Sequence, residues 1–331
     1  MTNENLRLLM ELRNDSGLFS AASKKVKTGY DKAWIRDNIY CTLGVELFDK
    51  EETIKTYHAL LDIFLKHEYK IKYAIKHKPN YSYEYIHARY DPVTYQEFNE
   101  EWGNKQNDAI GAFLFKIAKL IDKDYKIIRN KNDLRIVQEL VFYLESIEYW
   151  QDKDNGIWEE NEEVHASSVG ACLAGLKAIS KHVYVPKMLI DKGQESLNKL
   201  LPRESEIKET DLALLSLIYP YEIVTKKQAD LILKNVESNL VRDKGLIRYT
   251  NDRYYANNGI EAEWCFGFPW LAIIYKNLGK INKYYYYIEK SKECLNENGE
   301  MPELYFGQTS IYNENTPLGW GQSLMIVALQ E

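Results

Sequence analysis

The sequence predicts an all-α fold whose helices pair into a closed ring of hairpins, and three observations carry that prediction. Apolar residues recur at the i, i+3, i+4, i+7 spacing of a helix from one end of the chain to the other, strand-like alternation is scarce, and long connections alternate roughly with short ones. The periodic segments lie near 3–13, 37–49, 51–66, 107–123, 132–150 and 165–182, then near 186–201, 208–219, 225–240, 262–278, 281–297 and 317–330. Several carry start signals. Asp49 precedes EETIKTYHALLDIFL, Thr225 precedes KKQADLILKNV, and Thr316-Pro317 puts a proline in the first turn of the last segment. Alternation typical of strands is confined to connections such as 18–30 and 246–255. No Pro/Gly/Ser-rich linker breaks the chain, so one domain over residues 1–331 is expected. The connections near 183–186, 202–207, 220–224 and 279–281 are short, whereas 14–36, 67–106, 151–164, 241–261 and 298–316 are long and rich in Trp, Tyr, Gly and acidic residues. A ring of hairpins puts the long loops on one rim, where a functional site is expected.

Composition narrows the function. Of 331 residues, 43 are Lys or Arg and 49 are Asp or Glu, a net charge of −6 that argues against nucleic acid as a partner. The longest apolar stretch, Cys265 to Tyr275, is too short to span a bilayer and holds a proline, so no membrane association is expected. Residues 2–15 are charged and lack the apolar centre of a secretion signal, and Cys41, Cys172, Cys265 and Cys294 lie far apart with no C-x-x-C pair. Reduced, mostly buried thiols in a cytoplasmic protein are the expectation. Phosphate-binding, dinucleotide-binding and serine-hydrolase motifs are missing, and the six His show no metal-ligand spacing, so neither cofactor nor metal is expected. The lysine-rich run Lys66–Lys78 reads as a solvated loop face. The 26 Tyr and 7 Trp suit a surface that meets sugars, although an AT-rich coding bias would inflate Tyr equally.

The remaining chemistry is acidic and aromatic, and it lies on the long loops. Asp154-Asn155-Gly156-Ile157-Trp158-Glu159-Glu160 sets two carboxylates after a turn and beside an indole; burial there would raise a carboxyl pKa, as a general acid requires. A second acid, Glu303, sits in the last long loop within Pro302-Glu303-Leu304-Tyr305. One protonated and one ionised carboxyl flanking a bond is the machinery of glycoside hydrolysis. Trp34-Ile35-Arg36-Asp37 and Trp102-Gly103-Asn104-Lys105-Gln106-Asn107-Asp108 each present an aromatic face followed by hydrogen-bonding groups suited to vicinal hydroxyls. Helix entry, with Asp37 and Asp108 as capping residues, is the plainer reading of both.

Six blocks in this order resemble glycoside hydrolase family 15, the glucoamylase family, and most of all its branch shared with the glucoamylase-like domain of phosphorylase kinase regulatory α and β subunits. They are GLFSAA…AWIRDNIY (17–40), HARYDPVTYQEFNEEWGNKQNDAIGAFLF (87–115), DNGIWEENEEVHASSVGACLAGLKAI (154–179), GLIRYTNDRYY (245–255), EAEWCFGFPWLAIIY (261–275) and MPELYFG…NENTPLGWGQS (301–323). The resemblance implies a six-hairpin (α/α)6 barrel without the β-sandwich that precedes it in many prokaryotic members. It implies Glu159 as general acid, Glu303 as the base that activates water, Glu160 and Arg248 as sugar ligands, and Arg36 with Asp37 as the grip on the terminal glucosyl ring. Trp34, Trp102, Trp158 and Trp320 would line the pocket. The base block reads PELYFG, where secreted fungal members have Glu-Gln-Phe-Asp. The implied activity is exo-acting, inverting release of β-glucose from α-glucans or α-gluco-oligosaccharides, with the carboxyl groups roughly 6.5–9.5 Å apart. The alternative is a non-catalytic sugar-sensing or interaction module like the kinase regulatory domain.

Overall fold

Burial sorts the helical segments into two sets. In Ile35–Val45 (α2) every residue is buried, as is every residue of the 3-10 segment Leu212–Leu217, whereas Lys187–Leu200 (α8) buries only Leu189, Gly193 and Leu197. A segment apolar on all sides belongs inside, and one with a single stripe covers it from outside. The computed structural model describes residues 2–100 and 102–330; Met1, Glu101 and Glu331, which the expected 1–331 domain includes, lie outside the described residues.

The other helices are Thr2–Glu11 (α1), Lys50–Lys66 (α3), Glu68–Lys76 (α4), Asn107–Asp122 (α5), Lys131–Ser146 (α6) and Ala166–Ile179 (α7). Lys226–Asn239 (α9), Gly267–Asn277 (α10), Ile281–Glu293 (α11) and Gly319–Leu329 (α12) complete them. Contacts run α2 to α5, α5 to α7, α7 to the 3-10 segment, on to α10, then α12, and back to α2, which closes an inner ring. The outer layer is α1, α3 with α4, α6, α8, α9 and α11, each packed on the ring or on its outer neighbour. This is the (α/α)6 barrel. Its tightest seam is α5 on α7, where a Cβ on Gly111 would fall 2.3 Å from the Cys172 nitrogen and one on Gly175 would fall 2.4 Å from the Gly111 oxygen. Only glycine lets the two backbones approach so closely.

Several expectations change. The segment 208–219 is helical only as the 3-10 turn Leu212–Leu217, because the Asp211 carboxylate accepts from Ala213 N and Pro220 follows soon after. The run Lys66–Lys78 is not a solvated loop face. It forms the end of α3 and α4, and Lys70 is buried with its ammonium 2.7 Å from Glu97. Pro317 lies outside α12, whose N-cap is Leu318. Asp49 and Thr225 do cap α3 and α9, Thr225 in a box with Gln228. Asp37 and Asp108 are not caps, since Trp34 and Gln106 hold those positions.

In 18–30 and 246–255 extended structure is limited to single bridges, Phe19 with Arg13, Leu246 with Val241 and Trp264, and Tyr249 with Asp211; the paired strands lie elsewhere. Ala33–Trp34 (β1) pairs antiparallel with Arg89–Tyr90 (β2), Trp34 opposite Arg89. Glu263–Trp264 (β3) pairs antiparallel with Leu304–Tyr305 (β4), Trp264 opposite Leu304. These two-residue ladders tie long loops together on one rim, and each ends beside an expected site residue.

Candidate active site

The ten residues that the resemblance assigns to the site line one cavity of about 350 Å³ on the long-loop rim: Trp34, Arg36, Asp37, Trp102, Trp158, Glu159, Glu160, Arg248, Glu303 and Trp320; Asn104 to Asp108 do not line it. A roomier cleft, about 540 Å³, opens on the outer surface between Trp150, Lys192 and Lys199 and touches none of them.

Glu159 sits at the tip of a loop pinned at its base. Asp154 and Glu163 exchange backbone hydrogen bonds of 2.9 and 3.0 Å, and the buried Asp154 carboxylate accepts from Asn107 N and His165 Nδ1, each at 2.9 Å. Burial pulls the His165 pKa down, but Asp154 outweighs it and raises it to about 9, so the imidazole is charged near neutrality. At the tip Glu159 takes a left-handed φ of +63°. Its backbone lies against Gly103, where an added Cβ would stand 2.6 Å from the Glu159 carbonyl oxygen. The side chain accepts from Arg36 at 3.2 Å. Burial raises its pKa to about 7, with Arg36 opposing and Asp37 adding to the shift.

Arg36, in the first turn of α2, is buried and donates to Gln106 at 2.6 Å and Asp108 at 3.4 Å. Burial works against its charge, but Asp108, Asp37 and Glu159 together hold it protonated. Asp37 is raised by burial to about 6 despite Arg36. Glu160 turns the other way from its neighbour. It accepts from Arg248 at 2.7 Å, Lys208 at 2.9 Å and the Tyr249 hydroxyl at 2.8 Å. Burial raises its pKa, and these partners outweigh that and lower it. Arg248 is in turn clamped by Asp252 at 2.6 and 2.7 Å.

Glu303 is 1% exposed, just ahead of β4. Its Oε2 accepts from the Asn315 amide at 2.7 Å and from the Asn313 amide, while Thr28 donates to Asn315 Oδ1 at 2.5 Å and so turns the amide NH2 toward the carboxylate. Burial raises its pKa, opposed by Asn315, Asn313 and a hydrogen bond from Tyr30. The Tyr30 hydroxyl also lies 3.4 Å from that of Tyr254. The floor is aromatic. Trp320 stacks on Phe266 at 4.9 Å and on Trp158 at 6.5 Å, and the buried Trp264 and Trp320 indole nitrogens have no hydrogen-bond partner among the described residues. Trp158 spends its own N–H on Asp211, at 2.7 Å.

Sequence reasoning missed Lys208, Tyr249, Asp252, Arg89, Tyr30, Tyr254, Trp264, Asn313 and Asn315. Several lie inside the quoted blocks and were passed over. Lys208 had no signal, because the spacing makes 208–219 a helix and 202–207 a short connection; Leu201 to Asp211 is a site-rim loop. Among the described residues no group of three or more His, Cys, Asp or Glu is arranged to hold a metal, and no helix is long and apolar enough to cross a membrane.

The chain is similar to the rabbit skeletal-muscle regulatory subunit alpha of phosphorylase b kinase, 26% identical over 90% of this chain and 30% of that protein. It spans less than a third of the length of such curated relatives. Among solved structures it superposes on a wild-type glycosidase with a TM-score of 0.85, at 15% identity over 99% of this chain and 94% of that one. The glucoamylase of Saccharomycopsis fibuligera gives 0.64, at 14% identity over 98% and 92%. A family model, glycosyl hydrolases family 15, matches residues 2–183, which carry Trp34, Arg36, Asp37, Trp102 and Glu159. That match takes in more than half of the chain, and the barrel around it is the one seen in glycosidases: the protein belongs to glycosyl hydrolases family 15.

Proposed function

We propose that the protein is an exo-acting, inverting glycoside hydrolase that releases β-glucose from the non-reducing ends of α-glucans or α-gluco-oligosaccharides. The observation that carries this reading is a pair of carboxyl groups on separate loops of one cavity, held for opposite tasks. Glu159, with a pKa of about 7, keeps its proton near neutrality and gives it to the glycosidic oxygen as the C1–O bond breaks. Glu303, whose Oε2 accepts from two side-chain amides, takes a proton from the water that bonds to C1 on the other face of the ring. Inversion requires the two groups far enough apart to admit that water. Arg36 and Asp37 grip the terminal ring, and the Trp264 and Trp320 N–H groups, which have no partner among the described residues, offer further donors to its hydroxyls. The whole chain acts as one catalytic unit in this reading, without a cofactor. Its four free, buried cysteines suit a reducing, cytoplasmic setting.

The relationship to kinase regulatory subunits supports a second reading, a sugar-binding regulatory module. One experiment separates them: glucose release from maltotetraose, isomaltotriose, trehalose and glycogen, with NMR reading the first anomer formed and Glu159→Gln and Glu303→Gln alongside. β-Glucose lost in both variants supports the hydrolase. Sugar binding with no turnover on any substrate turns the proposal to the regulatory module.

A further inference from the structure

Three arginines line the cavity, and two have their charge answered inside it. Arg36 is shared by Asp108 and Glu159, and Arg248 by Asp252 and Glu160. Arg89 differs. It sits on β2, 8% exposed, and its carboxylate partner is Glu100 at 2.8 Å, whose side chain is 61% exposed on the rim. Its Nε is buried with no hydrogen-bond partner among the described residues. The guanidinium lies 4.3 Å from the Trp102 ring and 5.2 Å from each of Trp34 and Phe98, a collar that fixes its plane. The Lys32 ammonium, paired with Asp31 at 2.7 Å, lies 5.3 Å from the same Phe98 ring, so a second cation stands at this edge. Neither has a role in the proposed acid, base or ring-holding set.

Position adds a direction. Trp102, against which Arg89 stacks, adjoins Gly103, and Gly103 lies against the Glu159 backbone. Arg89 therefore flanks the carboxyl proposed to protonate the departing oxygen, while Glu303 lies among Tyr30, Asn313 and Asn315.

We propose that Arg89, with Lys32 at the rim, forms a subsite for an anionic group, phosphate or carboxylate, on the part of the substrate that leaves from Glu159. This rests on the assignment of Glu159 as the acid. A guanidinium fork matches either anion with two parallel hydrogen bonds, and Glu100 holds the place the ligand's anion takes. Displacing a solvated rim carboxylate costs little, because exposed ion pairs are weak.

The test is calorimetric binding to full-length Glu159→Gln protein, so that it needs no turnover. Maltose is compared with maltobionate, whose leaving portion bears a carboxylate, and trehalose with trehalose 6-phosphate. In at least one pair the anionic ligand binds about ten-fold or more tightly, and the ratio falls as salt rises from 50 to 300 mM. Adding Arg89→Gln brings the ratio to about one, and Arg89→Lys leaves part of it. Should Arg89→Gln fail to fold, Glu100→Gln, at an exposed position, decides: removing the competing carboxylate raises the ratio two- to three-fold. Equal binding within both pairs, or a ratio indifferent to Arg89→Gln or Glu100→Gln, overturns the proposal. An intact ratio with no hydrolysis by wild-type protein leaves the anion subsite standing and sinks the hydrolase reading instead.

Discussion

Glu159 and Glu303 share a cavity, yet one is governed by backbone and charge and the other by neutral amides. Glu159 stands on a left-handed residue at a loop tip, partly open to the cavity, touching one buried arginine. Glu303 is sealed beneath two asparagines whose amides donate to its carboxylate. The first arrangement sets a proton affinity near neutrality by balancing burial against Arg36. In the second, donors that carry no charge oppose burial, which still holds the pKa above the ordinary carboxylate value. An acid and a base can thus be made from the same side chain without placing either near the other's partners.

Each proposed experiment tests that contrast. Replacing either carboxyl with an amide, Glu159→Gln or Glu303→Gln, is expected to lower kcat by about 10²–10⁴-fold, measured as initial glucose release; a variant within a few fold of wild type would remove that residue from the chemistry. Gly103→Ala comes next. The new Cβ must push on the Glu159 carbonyl, and a displacement of about 1 Å is expected to lower kcat about 10²-fold, with circular dichroism showing the fold retained. The matching change on the other side, Asn315→Ala, is expected to cost roughly ten-fold and to raise the Glu303 pKa further, since it removes a donor that opposes burial.

The pH profile of kcat/KM shows that shift with a defined sign. Activity needs Glu303 ionised and Glu159 protonated, so it rises through the raised Glu303 pKa and falls above about 7 as Glu159 loses its proton. Asn315→Ala should move the acid limb upward and leave the alkaline limb in place. Movement of both limbs together would mean that the two sides are coupled after all. The smallest effect is expected from Thr28→Val, which frees the Asn315 amide to rotate: about a five-fold loss in kcat, the worth of one neutral hydrogen bond.

The two sides also differed in how readily they could be read from sequence. Trp158-Glu159-Glu160 is a compact signal, and the matched family model runs through it. Glu303 lies beyond residue 183, in a block whose neighbours had to be assembled from Thr28, Tyr30, Asn313 and Asn315, residues up to 287 positions apart. Helical periodicity found the ring because it depends on local spacing. It failed at Leu212–Leu217, where six buried residues in a row leave no polar face to set a period. It also missed α4, whose lysines hid a stripe of Ile71 and Ala74 and a buried ion pair at Lys70. Lys208 and Asp252 act only through Glu160 and Arg248, and partners of partners leave no trace in spacing.

The seam between α2 and α12 bears on how the molecule forms. Ser323 Oγ accepts from Gly44 N at 2.8 Å and donates to the Tyr40 carbonyl at 2.6 Å, and Gln322 donates to Asn5, contacts between residues about 280 or more positions apart. Joining ends so distant adds only logarithmically to the entropy of closure, but contacts of high sequence separation form slowly. Until α12 docks, the apolar flanks of α2 and α10 lack their cover, and Trp320 has not reached the cavity. Closing the ring and completing the pocket are therefore one late event. After dilution from denaturant, helical signal should return first, and the ability to hold a sugar only with the final seam.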